Sequence, residues 1–374
     1  MTNMQKLKHN KVIIQGIRGI PAAHGGFETF AEYLALYLVK KGWIVTVYCQ
    51  GEPDAEYSET TWNGVNLITI PEQNEGAFGT VRFDYNAVIH SLKHNSLVLT
   101  LGYNTAIFSL FYRLKGIPNV INMDGIEWRR DKWGAIAKSW FWLNERFGCW
   151  FGNHLVADHP AIADHLATRV SRDKIETIAY GGLEVLSSDV SLIEPFGIHP
   201  GGYAVVIARP EPENSLLEIV KGFSSSVRGK KLVILGKYDN KNAYHREVLN
   251  AASSEVLFLG AIYDVKVVSA LRFFATCYVH GHTVGGTNPS LVESLGTGNA
   301  IVAHDNKFNR WVAKDGAIYF KSEADISNAF EQVFTDDELV KTLSLATRKN
   351  FNEHFQWEQI LMQYEELLLQ YVNS

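Results

Sequence analysis

Short apolar runs alternate with longer amphipathic stretches along the first half of the chain. The first run, residues 11–15 (KVIIQ), has a continuous apolar centre and predicts a buried strand. After Gly25-Gly26, apolar side chains return every three or four positions, which predicts a helix that ends at Gly42. Further strands are expected at 43–48, 65–70, 97–101, 119–122 and 155–157.

The pattern collapses between Gly181 and Gly202, where two prolines lie among glycines and scattered acids, and a linker is predicted there. It then restarts. Strands are expected at 203–208, 231–235, 256–259, 276–279 and 300–303, helices at 214–223 and 244–252, and helix from 326 to the end. This alternation predicts parallel sheets covered by helices on both faces. We therefore expect two Rossmann-like α/β domains that face each other across a ligand-binding cleft.

The composition narrows the class of protein. In 374 residues, 46% are hydrophobic and the net charge is −5, which argues against disorder and against a broad nucleic-acid-binding face. Three widely spaced cysteines form no Cys-x-x-Cys pair and fit free thiols in a reducing compartment. The longest uncharged run, 94–112, is broken by Gly102-Tyr103-Asn104 and predicts a strand, a turn and a helix. We expect a cytoplasmic protein without a signal peptide, because the apolar run at 11–15 is too short for a signal-peptide core.

The chain lacks the residues that several common nucleotide-binding and catalytic motifs require. The first strand is followed by Gly16-Ile17-Arg18-Gly19, where a dinucleotide fingerprint would need glycine in place of Arg18. The chain also contains no P-loop, no Asp-x-Asp pair and no Gly-x-Ser-x-Gly elbow. These absences disfavour a P-loop nucleotidase, a transferase with a metal-chelated donor and an α/β-hydrolase.

The segment His280–Glu293 (HGHTVGGTNPSLVE) carries the densest set of candidate ligand groups, and it follows a predicted strand. Asn288 is a favourable N-cap, and Pro289 suits the first helical position. Free N–H groups around Thr287–Leu291, at the positive end of the helix, predict an anion site. The candidate ligand-binding residues here are His282, Gly286, Thr287, Asn288, Pro289, Ser290 and Glu293.

Two further features of this segment point to a nucleotide. Gly285-Gly286 permits close approach of the backbone to a ligand, and Glu293 is placed to accept hydrogen bonds from a ribose diol. We therefore predict a nucleoside-diphosphate site. The alternative is a glycine-rich turn before an ordinary helix, and His280 and His282 are equally well explained as packing residues.

Two cations end neighbouring strands of the second half. Arg209 closes the first strand and is placed to neutralise a departing phosphate, and Lys237 is a weaker candidate after the next strand. The alternative for Arg209 is a surface ion pair with Glu211 or Glu213.

Candidate groups also follow strands of the first half. The long loop 16–27 holds Arg18, His24 and Gly25-Gly26 and is expected to cover the diphosphate. Asp124 and Glu127, after the strand at 119–122, are candidates to contact sugar hydroxyls, the alternatives being helix capping and packing.

The segment Trp128–Phe151 is rich in aromatic and basic residues. It holds five of the nine tryptophans and five basic residues. That combination suits an anionic membrane surface or a lipid-linked acceptor. The alternative, which we place slightly ahead, is a helix packed on the sheet with a charged outer face.

Three segments resemble the family-4 retaining glycosyltransferases of GT-B fold, and more closely the bacterial rhamnosyltransferase branch that builds capsular and O-antigen polysaccharides. They are GIRGIP with HGGFE (16–21 and 24–28), MDGIEWR (123–129) and the segment 280–293. The resemblance implies a donor bound mainly by the C-terminal half, an acceptor bound by the N-terminal half, and a C-terminal helix that crosses back onto the first domain. By position it assigns the donor ribose to Glu293, the diphosphate to Arg209 and the donor phosphate side of the first loop to Gly25-Gly26.

The chain departs from the family's pattern at three places. The first of two glutamates that the family spaces eight residues apart is Gly285 here, and a lysine five residues after the arginine is Asn214. Many members have histidine where this chain has Asp124. With one cation fewer, the helix N-terminus must supply more of the leaving-group stabilisation.

The resulting expectation is a GT-B protein with an acceptor domain (1–185), a linker (186–202), a nucleotide-sugar domain (203–355) and a crossover helix (356–374). It would transfer a sugar with retention, L-rhamnose from dTDP-rhamnose by resemblance, onto a growing, lipid-linked cell-surface polysaccharide, with Arg209, Asp124 and Glu127 as catalytic candidates. No cofactor or metal is expected, and peripheral contact with the inner face of the membrane stays open. The alternatives are a UDP- or GDP-hexose donor, a sugar-nucleotide epimerase or phosphorylase, and a non-catalytic sensor.

Overall fold

The computed structural model describes residues 10–23, 25–74, 76–130 and 132–372. The chain forms two compact units. Unit 1 contains the chain up to Ala179 and the segment from Trp357 onward, and unit 2 contains Tyr180–Gln356.

Each unit is built on one sheet. The strands are β1 (Lys11–Gln15), β2 (Ile44–Gly51), β3 (Ser58–Trp62), β4 (Val65–Pro71), β5 (Leu97–Leu101), β6 (Asn119–Asn122), β7 (His154–Ala157), β8 (Ile175–Thr177), β9 (Tyr203–Ile207), β10 (Lys231–Leu235), β11 (Val256–Gly260), β12 (Cys277–His280), β13 (Ala300–His304) and β14 (Ala317–Phe320). The sheet of unit 1 has the order β3-β4-β2-β1-β5-β6-β7-β8, and that of unit 2 the order β11-β10-β9-β12-β13-β14.

Helices connect these strands. They are α1 (Gly26–Lys40), α2 (Gly76–Ser91), α3 (Ser109–Lys115), α4 (Ala135–Phe151), α5 (Pro160–Ala167), α6 (Leu216–Ser224), α7 (Ala243–Asn250), α8 (Val265–Phe273), α9 (Pro289–Gly296), α10 (Lys307–Ala313), α11 (Glu323–Thr335), α12 (Asp337–His354) and α13 (Trp357–Val372). The central strands β1, β5, β6, β9, β10 and β12 are buried almost throughout. Burial on both faces explains why they carry continuous apolar runs instead of alternating ones.

The expectation of two parallel, doubly covered sheets is confirmed with one correction. In unit 1, β3 pairs antiparallel with β4, so that this sheet is mixed. The cause is a two-residue hairpin turn at Asn63-Gly64, whose φ angles are 48° and 84°. An Asn-Gly pair between short strands is a strong hairpin signal, so β3, which the sequence analysis missed, could have been predicted from it.

The expected crossing of the C-terminal helix onto the first domain is confirmed, since α13 belongs to unit 1. The ring of Tyr364 lies 4.6 Å from that of Phe30, and the ring of Trp357 lies 4.9 Å from that of Tyr33. Asn122, at the end of β6, donates a 2.8 Å hydrogen bond to the hydroxyl of Tyr364. The helix is therefore fixed to the end of the strand that precedes Asp124.

The stretch 186–202 is ordered within unit 2. It contains two short 3₁₀ helices, Val190–Leu192 and Glu194–Phe196, and it buries Ile193 and Ile198. Isolated apolar residues of this kind carry no helical or strand period, so the sequence pattern alone does not reveal the packing.

The outward side of α4 differs from the expected charged face. Ile136, Trp140, Leu143 and Trp150 are exposed, whereas the buried side of the helix includes Asn144 and Glu145. The polar groups point inward because the carboxylate of Glu145 meets half-buried partners there, including Arg169 at 2.8 Å. The prediction of a charged outer face for the helix in the segment Trp128–Phe151 was therefore wrong.

Candidate functional site

The start of α9 has the cap that the sequence predicts. The side chain of Asn288 accepts a 3.0 Å hydrogen bond from the N–H of Ser290, and Pro289 is the first helical residue. The set of free N–H groups is smaller than expected, because the N–H groups of Leu291 and Val292 both donate to the carbonyl of Asn288 at 3.1 Å. Within the described ranges, the N–H groups of Gly286 and Asn288 have no acceptor. An anion here would be held by the loop backbone and the positive end of the helix.

A buried arginine that the sequence analysis missed organises this helix. Arg272, in the last turn of α8, is 6% exposed. Its Nη2 donates to Ser290 Oγ at 2.9 Å and lies 2.6 Å from Glu293 Oε2. The hydroxyl of Tyr278 lies 2.7 Å from the same Ser290 Oγ. The residues of this network are far apart in sequence, so no local sequence pattern around Arg272 predicts its contacts.

The Arg272 contact leaves part of Glu293 available. The side chain of Glu293 is 40% exposed, and only its Oε2 is paired with Arg272. Its Oε1 has no partner in the part of the chain that the structure describes. The carboxylate is thus held in one orientation with one oxygen left to accept a hydrogen bond.

Asn214 joins two of the predicted site residues. Its amide nitrogen donates to the carbonyl of Arg209 at 2.8 Å, and its amide oxygen lies 2.6 Å from Nδ1 of His282. Because an amide oxygen only accepts, Nδ1 of His282 carries the proton. Asn214 therefore links the loop after β9 to the loop after β12.

The side chains of Arg209 and Lys237 are exposed at the ends of β9 and β10. Among residues 10–23, 25–74, 76–130 and 132–372, Arg209 forms no ion pair, so the predicted alternative with Glu211 or Glu213 is not observed. Strand β9 lies between β10 and β12, which brings both cations to the same edge of the sheet as His282.

The backbone conformation at position 285 favours glycine. Its φ angle is +121°, a conformation that residues with a Cβ rarely adopt. A Cβ built there would lie 3.2 Å from Nε2 of His282. Glutamate does not fit this loop conformation without strain.

His280 is a packing residue. It is buried, and burial together with the nearby His282 and His304 holds its pKa well below the ordinary value. The ring is therefore neutral at physiological pH, which fits the packing alternative for this histidine.

In unit 1, carboxylates from α1 fix the loop after β1. Glu28 accepts a 3.2 Å hydrogen bond from the N–H of Arg18, and Glu32 accepts one of 2.6 Å from the N–H of Ala22. The Arg18 side chain is exposed. Helix α1 starts at Gly26 with Gly25 as its N-cap, as predicted. His24 lies outside the described residues.

Glu127 and Asp124 differ in how they are held. Oε1 of Glu127 accepts from Arg130 at 2.7 Å, and Oε2 accepts from the indole of Trp133 at 3.0 Å. Both oxygens are thus engaged, which matches the packing alternative. Asp124 has a φ of +51°, and its N–H donates to the side chain of Asn122 at 3.0 Å.

The carboxyl group of Asp124 lies in an environment that disfavours its charge. Burial, and second the negative charge of Glu127, raise its pKa to about 6. The residue is only half-buried, so its carboxyl group remains reachable by a ligand.

Membrane-spanning helices and metal sites also bear on the chemistry. No helix among the described residues is long and apolar enough to cross a membrane. Within the same residues, no three His, Cys, Asp or Glu side chains cluster so as to hold a metal ion.

Comparison with known proteins places the fold. The family model described as a domain of unknown function (DUF1972) matches residues 9–183. No curated protein matches the chain in sequence.

Solved structures are similar over nearly the full length. A sucrose-phosphate synthase from Thermosynechococcus elongatus has a TM-score of 0.79 at 16% identity, covering 97% of this chain and 99% of that one. Anabaena HepE, in complex with UDP and glucose, has a TM-score of 0.75 at 13% identity, covering 96% and 99%. An α,α-trehalose-phosphate synthase (UDP-forming) from Burkholderia xenovorans has a TM-score of 0.71 at 11% identity, covering 96% and 100%. The fold of this chain is the GT-B fold of glycosyltransferases.

Proposed function

We propose that this protein is a glycosyltransferase that moves a sugar from a nucleoside diphosphate onto an acceptor hydroxyl, with retention of configuration and without a metal ion. The observation that carries the proposal is the arrangement at the start of α9. There Arg272 orients Glu293 by a 2.6 Å ion pair, and the neighbouring loop N–H groups lack acceptors within the described residues.

Unit 2 binds the donor in this proposal. Oε1 of Glu293 accepts a hydrogen bond from the ribose, while the N–H groups of Gly286 and Asn288 and the α9 dipole hold the diphosphate. Arg209 and Lys237 neutralise the charge that grows on the diphosphate as it leaves. The proposed donor-binding set of unit 2 also includes His282, Thr287, Pro289 and Ser290.

The proposed reaction proceeds on one face of the sugar. The bond from the anomeric carbon to the diphosphate oxygen breaks, and the acceptor oxygen bonds to that carbon from the same side. The acceptor proton passes to the leaving phosphate oxygen, so that no protein nucleophile is needed. Unit 1 binds the acceptor, with Asp124 accepting from a sugar hydroxyl and Glu127 fixing the segment around it.

The specific substrates are proposed from the sequence resemblance. We infer that the donor is dTDP-L-rhamnose and the acceptor a growing, lipid-linked cell-surface polysaccharide, at the inner face of the membrane. HepE was solved with UDP and glucose, which supports nucleotide-sugar chemistry on this fold and makes a UDP- or GDP-hexose the alternative donor.

A transfer assay tests the proposal. Wild-type protein is incubated with dTDP-rhamnose, UDP-glucose or GDP-mannose and a glycan acceptor, and the new linkage is assigned by NMR. We expect retention, and a loss of at least about tenfold in turnover or donor affinity for Arg209→Ala and for Glu293→Ala, equivalent to about 1.4 kcal/mol. The control is Lys341→Ala on α12.

Three results would contradict the proposal. If both variants stay within about twofold of wild type, the site is elsewhere. If the donor isomerises without any acceptor, the protein is an epimerase. An intact donor that binds without transfer to any acceptor would instead favour a sensor.

A further inference from the structure

Helix α4 presents an apolar side to solvent. Ile136, Trp140, Leu143, Phe147 and Trp150 follow one another at intervals of four, three, four and three residues, which aligns them along one side of a helix. Ile136 is 89% exposed and Trp150 is 54% exposed. A helix packed on a sheet normally shows the opposite pattern, with apolar residues inward.

The neighbouring helix α3 also exposes apolar side chains. It packs against α4 and leaves Leu114 75% exposed and Leu110 36% exposed. We call this combined surface of α3 and α4 the outer apolar face. A group of exposed apolar side chains on two packed helices is typical of a binding site for a partner or a membrane.

Positive charge accompanies the outer apolar face. The two helices carry Arg113, Lys115, Lys138 and Arg146, and their only acid, Glu145, is buried. The guanidinium of Arg146 lies 3.3 Å from the ring centroid of Trp142. The face is therefore apolar and basic, with no exposed acid from either helix.

This charge distribution distinguishes between possible occupants. In a symmetric dimer the same patch would meet itself, so that positive charge on one copy would face positive charge on the other. An anionic lipid surface complements both the charge and the apolar side chains, and tryptophan favours the boundary between headgroups and acyl chains. We propose that the outer apolar face binds anionic membrane lipids, with α4 lying in the plane of the interface.

Vesicle sedimentation tests this proposal. The whole protein is mixed with phosphatidylglycerol–phosphatidylcholine vesicles or with phosphatidylcholine vesicles, with no donor or acceptor present. We expect binding to the anionic vesicles that weakens as salt rises. Leu114→Glu should lower the partition coefficient by about tenfold or more, since it removes an inserted side chain and adds a repelled charge.

Matched controls separate membrane binding from folding. Leu345 is also a leucine on a helix, α12, and is 62% exposed, so Leu345→Glu should bind as wild type does. The double variant Lys115→Glu/Arg146→Glu should lose binding to anionic vesicles, whereas Lys341→Glu should not. Thermal melts of each variant confirm that it is folded.

Three results would overturn the proposal. They are no binding to anionic vesicles, binding that Leu114→Glu leaves unchanged, and a concentration-dependent dimer that Leu114→Glu dissociates. Because the assay needs no sugar transfer, its failure would contradict the proposed membrane location but leave the proposed transfer reaction untouched, and failure of the transfer assay leaves this proposal untouched.

Discussion

Arg272 is the residue on which the geometry of the candidate donor site depends most. It bridges Ser290 and Glu293, and its own Nε has no acceptor among the described residues. We expect Arg272→Met to weaken nucleoside-diphosphate binding by about tenfold, because Glu293 is no longer held in place. Stability should also fall by about 1–3 kcal/mol as buried polar groups lose their partner. Titration calorimetry and denaturant melts measure the two effects.

Arg348 provides the control for this substitution. It donates to the carbonyl of Thr297, at the opposite end of α9, at 3.0 Å. Arg348→Met should therefore lower the stability of the fold without weakening the binding of the nucleoside diphosphate. Equal loss of affinity in both variants would mean that Arg272 only supports the fold.

Asp84 makes stability depend on pH. Burial raises the pKa of this carboxyl group, which accepts a hydrogen bond from Thr105, to about 7. In the unfolded chain the group titrates near 3.9. Between about pH 4 and pH 7 the folded state keeps a proton that the unfolded state has lost, so the free energy of unfolding falls as the pH rises.

Asp84→Asn should remove this dependence. The amide oxygen still accepts from Thr105, and no charge has to be buried. We expect the variant to be more stable than wild type at pH 8, by about 1.4 kcal/mol for each pKa unit of the shift, and to differ little at pH 4. Denaturant melts between pH 4 and pH 8 measure the free energy of unfolding of both proteins. If it changes with pH in the same way in wild type and in Asp84→Asn, Asp84 is not the source of the pH dependence.

The residues of the site were only partly predictable from sequence. Asn288 and Pro289 made the start of α9 predictable, because helix capping depends only on residues close together in sequence. Arg272 was invisible because its contact with Glu293 joins two helices through the folded sheet. The role of Asn214 depends on its contact with His282, which is distant in sequence and comes close only in the folded chain. The role of Gly285 depends on the loop conformation that brings it close to His282.

At the scale of elements, α13 has the most informative packing. It lies on α1, and its Tyr364 hydroxyl receives the hydrogen bond of Asn122 at 2.8 Å. Tyr364→Phe should cost about 1–2 kcal/mol, because the buried amide of Asn122 loses its acceptor. Denaturant melts measure the loss, and Tyr263→Phe, at a residue 85% exposed, should change nothing. An unchanged melt for Tyr364→Phe would show that the contact adds no stability.

Strand positions were the easiest elements to predict. β1, β5, β6 and β10 lie where their apolar runs predict, because a strand buried on both faces needs such a run. The short strands β8 and β14 were missed, since three or four residues at a sheet edge carry little periodicity. Helix α6 starts two residues later than predicted because Ser215 has a φ of +50°.

At the scale of the whole molecule, both units have the α/β form that the sequence pattern predicts, and the fold is GT-B. The net charge of −5 gave no indication of the basic outer apolar face or of the cations at the ends of β9 and β10. An average over the chain does not report how charges are distributed over its surface. An acidic protein can therefore hold one diphosphate locally.

The central claim is that unit 2 binds a nucleoside-diphosphate sugar at the start of α9. Thermal unfolding of the whole protein with dTDP-, UDP- and GDP-sugars tests it most directly. A ligand at a hundred times its dissociation constant adds about 2.7 kcal/mol to the stability of the folded state. We predict that at least one of these sugars raises the Tm of wild type and of Lys341→Ala, and that the double variant Arg209→Ala/Glu293→Ala loses the rise. No rise with any of them, or an equal rise in the double variant, would contradict the account.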